Sequence, residues 1–184
     1  MAKRDKDVIT LGSGKLYVML YDAEDGIPED ATIETEENRI GWIKGGATLT
    51  YTPEFYTAED DLGKVKKRTI QTEEVTLTSG IMTWNGSTLT KLSSTGTSSE
   101  SNGKRTTKIG GVGNYNGKSY VIRFLHEDEV DGDVRVTIVG QNTSGFSLAY
   151  AKDAETVIDA EFSALPCDTN GTLVIIDEEI PATA

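Results

Sequence analysis

The chain has 184 residues, a formal net charge of −12 and 36% hydrophobic residues. So acidic a sequence has few basic residues to neutralise phosphates, which argues against a conventional DNA-binding protein. The single cysteine, Cys167, cannot form an internal disulfide, which suits a reducing compartment. No apolar run is long enough to span a membrane and no signal peptide is visible, so we expect a cytosolic origin and no membrane partner. The length suits a single domain over residues 1–184.

Asn-Gly and Asp-Gly pairs, which favour tight hairpin turns, divide the sequence into short strand-like segments. Strands are predicted near residues 15–21, 42–55, 66–77, 106–109, 120–126, 134–140, 147–151, 157–165 and 172–177. One short helix is predicted over Ser87–Ser93, with Asn85 or Ser87 at its N-cap. Together these elements predict an all-β fold, a β-sandwich or barrel with one short flanking α-helix and a long hairpin loop.

Segments between and outside the strands have distinct compositions. Residues 93–105 are rich in serine and threonine and are predicted to form a flexible loop that does not pack. Further along the chain, strands are predicted on both sides of Asn116-Gly117. Residues 1–8 are predicted to be an N-terminal arm and residues 178–184 an acidic C-terminal tail. None of these segments indicates a domain boundary.

The longest predicted hairpin has a loop at residues 56–68, with a turn at Leu62-Gly63. Its first leg is acidic and its second leg is basic; the charged residues are Glu59, Asp60, Asp61, Lys64, Lys66, Lys67 and Arg68. In one interpretation the two legs pair with each other in a solvated hairpin. In the other, the loop offers complementary charge to a second copy of the chain.

Two predicted strands alternate polar and apolar residues with a period of two, which places each set on one face. In the first strand the polar set is Thr48, Thr50, Thr52 and Glu54, and the apolar set is Leu49, Tyr51 and Phe55. In the second strand the polar set is Asp159, Glu161 and Ser163, and the apolar set is Ile158, Ala160, Phe162 and Ala164. We assign both apolar sets to the core.

The sequence lacks a recognisable catalytic apparatus. Gly12–Lys15 resembles a phosphate-binding loop, but Leu16 stands where such a loop needs Ser or Thr for magnesium. His126 is the single imidazole of the chain, so any nucleophile such as Cys167 would depend on it. We therefore predict no enzyme and no cofactor, catalytic or metal site, with a weak surface cation site near His126–Asp133 left open. Trp42 and Trp84 are assigned to the core rather than to a sugar-binding platform.

The last third of the chain carries a resemblance to a known family. Residues 130–166, which run from VDGDVRVTIVG to GFSLAYAKDAETVIDAEFSALP, are followed by the strand and acidic tail TLVIIDEE. This order of hairpin, strand and tail resembles the C-terminal half of the major tail proteins, or tail tube proteins, of tailed bacteriophages. It is similar to the tube proteins of contractile tails and type VI secretion.

The resemblance implies a structural virion protein that forms homohexameric rings, which stack into a hollow tail tube for genome ejection. Its partners would be further copies of itself and the tape measure, tail-tip and tail-terminator proteins, with assembly in the bacterial host cytoplasm. Double-stranded DNA would pass through without specific binding. The loop at 56–68 would contact the adjacent ring. The two polar sets would line the lumen or, in the alternative interpretation, meet bulk solvent outside the tube. Two alternatives remain: another virion β-module, such as a capsid decoration or baseplate component, and a ligand-binding β-sandwich.

Overall fold

The computed structural model describes residues 10 and 12–180, so the arm predicted at residues 1–8 and the last part of the predicted tail lie outside the described residues. The helices are α1 (Asp30–Ile33) and α2 (Gly86–Lys91), and a 3₁₀ turn covers Val112–Asn114. The strands are β1 (Lys15–Leu20), β2 (Arg39–Gly41), β3 (Ile43–Glu59), β4 (Lys66–Ile81), β5 (Thr97–Ser101), β6 (Lys104–Lys108), β7 (Tyr120–His126), β8 (Val134–Asn142), β9 (Ile158–Leu165) and β10 (Ile175–Glu178). The all-β class is confirmed.

Seven strands form one antiparallel sheet in the order β2-β1-β7-β8-β9-β4-β3, and β10 pairs with β8 beside β9. The two end strands of this order, β2 and β3, are separated in the chain by Trp42 alone. The sheet therefore curls until its ends meet in one bent segment, which pairs first with β1 and then with β4. This curling gives the sandwich-like or barrel-like arrangement that the strand pattern predicts.

The main core lies on the inner face of the curled sheet. Alternate residues of each strand point inward, and they include Leu16, Leu77, Ile122, Ile138 and Phe162, all at most 1% exposed. Helix α2 closes the core with Leu89 and Leu92. The predicted inward set of β9 is confirmed, because Ile158, Ala160 and Phe162 are buried and Ala164 packs against them.

Helix α2 spans Gly86–Lys91 instead of the predicted 87–93, and of the two predicted caps, Asn85 and Ser87, the N-cap is Asn85. The Asn85 side chain accepts hydrogen bonds from the backbone N–H groups of Ser87 and Thr88, and Thr88 Oγ1 accepts one from Asn85 N. This reciprocal pair satisfies donors that a helix start leaves free. At the other end, Lys91 Nζ donates to the carbonyl of Val18 at 2.7 Å, and burial lowers the pKa of this lysine. The helix is thereby attached to β1.

A second, smaller core lies on the outer face of β1, β7 and β8. Tyr17, Val121, Leu125 and Val139 pack there around Ile33 of α1. Charged side chains hold α1 in place. Arg123, only 3% exposed, reaches Asp30 and Glu34, and Arg135 Nε donates to Glu34 Oε1 at 2.8 Å. This side of the sheet is therefore covered, whereas neither of the described α-helices packs on the outer face of β3, β4 and β9.

Three local predictions are wrong. Residues 147–151 form no strand, and neither does the segment before Asn116-Gly117, where the 3₁₀ turn stands instead. Residues 93–105 do not form a flexible loop as a whole, because β5 and β6 pair in a hairpin whose turn is Asn102-Gly103. Asn102 takes a positive φ of 51°, which asparagine tolerates, and the hairpin lies against helix α2, where Ser98, Arg105 and Thr107 surround Gly86. Sequence patterns also missed α1 and β2, which are too short to show a period.

Candidate assembly surfaces

The hairpin of β3 and β4 extends beyond the rest of the sheet. Strand β9 pairs with β4 from Ile81 only as far as Thr76, whereas β3 and β4 stay paired from Ile43↔Ile81 to Glu59↔Lys66. The part beyond Thr76, residues 51–74, is here named the ribbon, and nearly every residue in it is exposed. Pro53 lies in its outer strand, which is an edge strand of the kind that tolerates proline. Two-stranded ribbons are marginally stable alone, so this one is suited to a partner.

One face of the ribbon continues the core face of the sheet and remains apolar. Tyr51 and Phe55 are each 52% exposed and Ile70 is 47% exposed, so the prediction that Tyr51 and Phe55 belong to the core is wrong. Leu49 of the same set does pack against the main core. The reason is that β9 stops pairing with β4 at Thr76, before the ribbon begins. Arg68 lies over the Phe55 ring at 5.8 Å, and Tyr51 donates a 2.5 Å hydrogen bond to Glu73.

Most of the predicted loop 56–68 is paired ribbon, and only residues 60–65 form the turn. The Asp60 carboxylate accepts hydrogen bonds from Val65 N at 2.6 Å and from Leu62 N at 3.3 Å, which lowers its pKa. Gly63, with φ of 67°, provides the predicted turn at Leu62-Gly63. Glu59 pairs with Lys66 of its own hairpin at 2.9 Å. The two legs therefore do pair with each other, as the first interpretation states.

The cations left over at the tip are on more than one side of the ribbon. Lys66 and Arg68 share the apolar face with Glu59, and Lys67 is on the opposite face, opposite Ala58 in the ladder. Among the described residues, Lys64 and Lys67 have no ion-pair partner, whereas Arg68 Nε donates to Thr57 Oγ1. The tip is thus net positive in a protein whose total charge is −12.

All the predicted lumen residues come together on one outer face. The ladder places Thr48 beside Thr78 and Thr78 beside Glu161, and it places Thr50 beside Thr76 and Thr76 beside Ser163. Thr52 and Glu54 continue this face onto the ribbon, and Asp159 ends it beside Gly80. The full set is Thr48, Thr50, Thr52, Glu54, Asp159, Glu161 and Ser163. The period of two predicts that each polar set shares one face, and the ladder agrees. The sequence did not show that β4 lies between the two sets.

The antiparallel register defines two ends of the sheet. The tip end is the end toward which the ribbon points, and the other end is here named the base end. The ends of strands at the tip end are Lys15, His126, Val134 and Leu165, and those at the base end are Leu20, Tyr120, Asn142 and Ile158. The base end also holds Lys44 and Gly80, which are paired partners at the start of the hairpin.

A cleft of about 590 Å³ opens where the polar outer face meets the base end. Its lining is mostly glycine backbone and hydroxyl side chains, with two carboxylates; the charged and hydroxyl residues are Lys44, Thr48, Thr78, Ser79, Ser144, Ser147, Asp159 and Glu161. A two-residue irregularity at Gly45-Gly46 interrupts the ladder, and both glycines line the cleft. Lys44 forms an ion pair with Glu155, so its charge is already compensated.

The histidine and the cysteine that could take part in catalysis are both in environments that do not favour reactivity. His126 is 4% exposed, and its Nδ1 lies 2.8 Å from the Ser13 carbonyl. Burial raises the pKa of the Cys167 thiol, the opposite of what a reactive cysteine needs. In the loop after His126, the Asp128 carboxylate accepts hydrogen bonds from the N–H groups of Val130 and Asp131. Among residues 10 and 12–180, no group of three or more His, Cys, Asp or Glu side chains is placed to hold a metal ion.

The two tryptophans differ. Trp84 packs against the main core as predicted, but Trp42 is 61% exposed, so its assignment to the core is wrong. It stands at the bend between β2 and β3, where the Arg39 guanidinium lies 3.6 Å from its ring centroid. Because of the bend, Trp42 belongs to neither the β1–β2 ladder nor the β3–β4 ladder. The stacked Arg39 guanidinium shields part of its ring from solvent.

Comparisons with known proteins do not extend this description: no family model matches the chain, and no curated protein matches it significantly. In the part of the chain that the structure describes, none of the helices is both long and apolar enough to cross a membrane. Function must therefore be argued from the surfaces themselves.

Proposed function

We propose that this protein is the structural subunit of a bacteriophage tail tube. Copies of the chain form hexameric rings, and the rings stack into a hollow conduit in the virion tail through which double-stranded DNA leaves the capsid. The observation that carries the proposal is the ribbon, a long paired hairpin that extends from a compact domain. The resemblance of residues 130–166 and the following strand to major tail proteins supports the same function.

The ribbon has the properties of a contact that another subunit completes. Phe55 and Ile70 expose about half of their surface on one face, and Leu62 and Val65 are 76% and 69% exposed at the tip. Large exposed apolar side chains in a continuous patch are a mark of an interaction surface. The outer edge of β3 pairs with no described strand, and ring formation is one way to cover such an edge.

The polar outer face supports a lumen. From Thr48 to Glu54 and across β4 and β9 it carries hydroxyl groups and the carboxylates of Glu54, Glu74, Asp159 and Glu161. Among the described residues, the ladder rows from Thr48 to Glu54 hold no lysine or arginine, and Lys44, in the row of Asp159, is paired with Glu155. Passing DNA would meet a wall of hydroxyl groups and carboxylates that repels phosphates.

The test is electron microscopy of the purified chain across a concentration series, with light scattering on the same samples. We expect rings or hollow tubes of uniform width above a critical concentration. A particle that stays monomeric at every concentration, alone and with tail-tip proteins, would contradict the tube function. That result would favour a virion β-module that does not elongate.

The ribbon is tested by reversing three charges together, in the variant Lys66→Glu, Lys67→Glu, Arg68→Glu. We expect this variant to fold and to form no tubes. The matched control reverses three exposed basic residues of the β5–β6 hairpin, as Lys104→Glu, Arg105→Glu and Lys108→Glu, and should form tubes. Tubes of normal length from the ribbon variant would remove the ribbon from the contact.

A further inference from the structure

We propose that the base-end cleft, with Asp159 and Glu161, is the docking site for the basic ribbon tip of a second copy of this chain. The inference rests on the proposed function, because it names the surface that receives the ribbon. Its argument uses the position, the reach and the charges of the two surfaces.

The two surfaces lie at opposite ends of the domain. The cleft is lined by Lys44, Gly80 and Asp159, where the β3–β4 hairpin begins, and the tip is where the same hairpin turns. A contact between unlike surfaces at opposite ends is heterologous, and it repeats without limit along one direction. Head-to-tail docking therefore gives the elongation that a tube needs.

A copy cannot fill its own cleft. The ladder of β3 and β4 continues from Thr48 at the cleft to Glu59 at the tip. Eleven steps along a strand at about 3.3 Å each separate these positions by about 36 Å. A paired ribbon does not fold back on itself over this distance, so the occupant of the cleft must come from another molecule.

The charges of cleft and tip are complementary after all internal pairs are counted. Lys44 is compensated by Glu155, which leaves Asp159 and Glu161 without an ion-pair partner among the described residues. At the tip Lys66 is compensated by Glu59, which leaves three cations and two carboxylates and therefore a surplus of one positive charge: Lys64, Lys67, Arg68, Asp60 and Asp61. The two carboxylates of the cleft thus meet a tip of opposite net charge on the next copy.

The lining suits lysine in a second way. An ammonium group has three N–H donors and no acceptor. Donors that do not bond to a carboxylate can bond to hydroxyl oxygens of the cleft, which belong to Thr48, Thr78, Ser144 and Ser147. The volume of about 590 Å³ lies within the usual range of clefts that hold a ligand. Asp159 is at the base end of the polar outer face. A docked tip would therefore contact the lumen wall at the boundary between two rings.

The first experiment couples carboxylates to amines directly with a carbodiimide in an equal mixture of unlabelled and ¹⁵N-labelled chain. We expect mixed-isotope peptides that join Lys64 or Lys67 to Asp159 or Glu161. The pair Glu59–Lys66, at 2.9 Å within one hairpin, is the internal control and should give cross-links of a single isotope. Tubes that lack the mixed cross-link, or that join Lys64 and Lys67 to carboxylates elsewhere, would overturn the inference and leave the tube function standing.

The second experiment exchanges the charges. Lys64→Glu with Lys67→Glu should raise the critical concentration about tenfold or more, and so should Asp159→Lys with Glu161→Lys. The variant that combines all four changes should return to within about threefold of the original. Normal growth of the cleft variant, or no rescue in the combined one, would overturn the inference. A mixed cross-link in a sample without tubes would support docking and contradict the tube function.

Discussion

Glu59 and Lys66 lie opposite each other in the last pair of the ribbon ladder, with 2.9 Å between Glu59 Oε1 and Lys66 Nζ. Both side chains are about half exposed. The acidic and basic legs of this hairpin therefore neutralise each other in part within one molecule. What the tip presents to a second molecule is the remaining charge, a surplus of one positive charge from Lys64, Lys67, Arg68, Asp60 and Asp61.

The first prediction separates this internal pair from the free cations. Lys66→Ala should change the free energy of unfolding by at most about 0.5 kcal/mol, since exposed ion pairs contribute little. It should also leave the critical concentration for tubes nearly unchanged. Urea unfolding and light scattering of Lys66→Ala beside Lys67→Ala measure both quantities. A stronger assembly defect in Lys66→Ala than in Lys67→Ala would show that the pair opens on docking.

The second prediction concerns the apolar face of the ribbon. Phe55→Thr with Ile70→Thr should leave unfolding nearly unchanged, because both side chains are about half exposed and threonine suits a strand. If a second copy buries the exposed half of each side chain, each change to threonine removes about 1 kcal/mol of contact energy. The critical concentration should then rise about tenfold or more. Val112→Thr, at a residue 94% exposed outside the ribbon, is the control and should assemble normally.

The sequence predicted the class of fold because alternation and turn residues are local signals. The Asn85 cap, the turn at Leu62-Gly63 and the burial of Ile158 and Phe162 were all read from neighbouring residues, and all are confirmed. The error at Tyr51 and Phe55 has a physical cause. Alternation shows which residues share a face, but the length of the partner strand β9 decides where that face stops being core.

The cleft was out of reach of sequence analysis for a related reason. Asp159 and Gly80 become neighbours only through the register of β4 and β9, and Ser144 reaches the same place from a loop without periodicity. The wrong strand at 147–151 shows the same limit. Apolar alternation in a short segment is compatible with a loop that packs Phe146 and Leu148 against the core without pairing as a strand.

The third prediction is a pH dependence of the ribbon tip. Backbone hydrogen bonds, first from Val65, stabilise the charged form of Asp60 and lower its pKa in the folded chain. A carboxyl group with a lowered folded pKa stabilises the turn above its ordinary pKa, and this contribution is lost as the pH falls through the folded value. NMR of the Val65 amide should thus show a titration below about pH 4. Asp60→Asn should abolish it, whereas Asp61→Asn should leave it; an unchanged titration in Asp60→Asn would contradict the assignment.

The fourth prediction is the energy of the Asn85 cap. Asn85→Ala removes the acceptor for two backbone N–H groups of α2 and should lower the free energy of unfolding by about 1 kcal/mol. Urea unfolding measures the change. Asn85→Ser keeps a capping oxygen and should recover most of the stability. An alanine variant as stable as the original would show that Thr88 alone secures the start of the helix.

The fifth prediction concerns the carboxylate that bridges two arginines beneath α1. Glu34 Oε1 accepts hydrogen bonds from Arg123 at 3.0 Å and from Arg135 at 2.8 Å, and Arg123 is almost completely buried. Glu34→Ala leaves the buried guanidinium with Asp30 as its remaining partner, so the free energy of unfolding should fall by about 2–3 kcal/mol.

Glu36→Ala is the control for this prediction. Glu36 has 81% of its side chain exposed, and its partner Arg39 keeps the contact with the Trp42 ring when the carboxylate is removed, so the change should cost at most about 0.5 kcal/mol. Glu34→Gln keeps the shape and one acceptor and should fall between the two. If Glu34→Ala were as stable as Glu36→Ala, water would be replacing the carboxylate, and α1 would be held by Ile33 and its apolar neighbours instead of by charge.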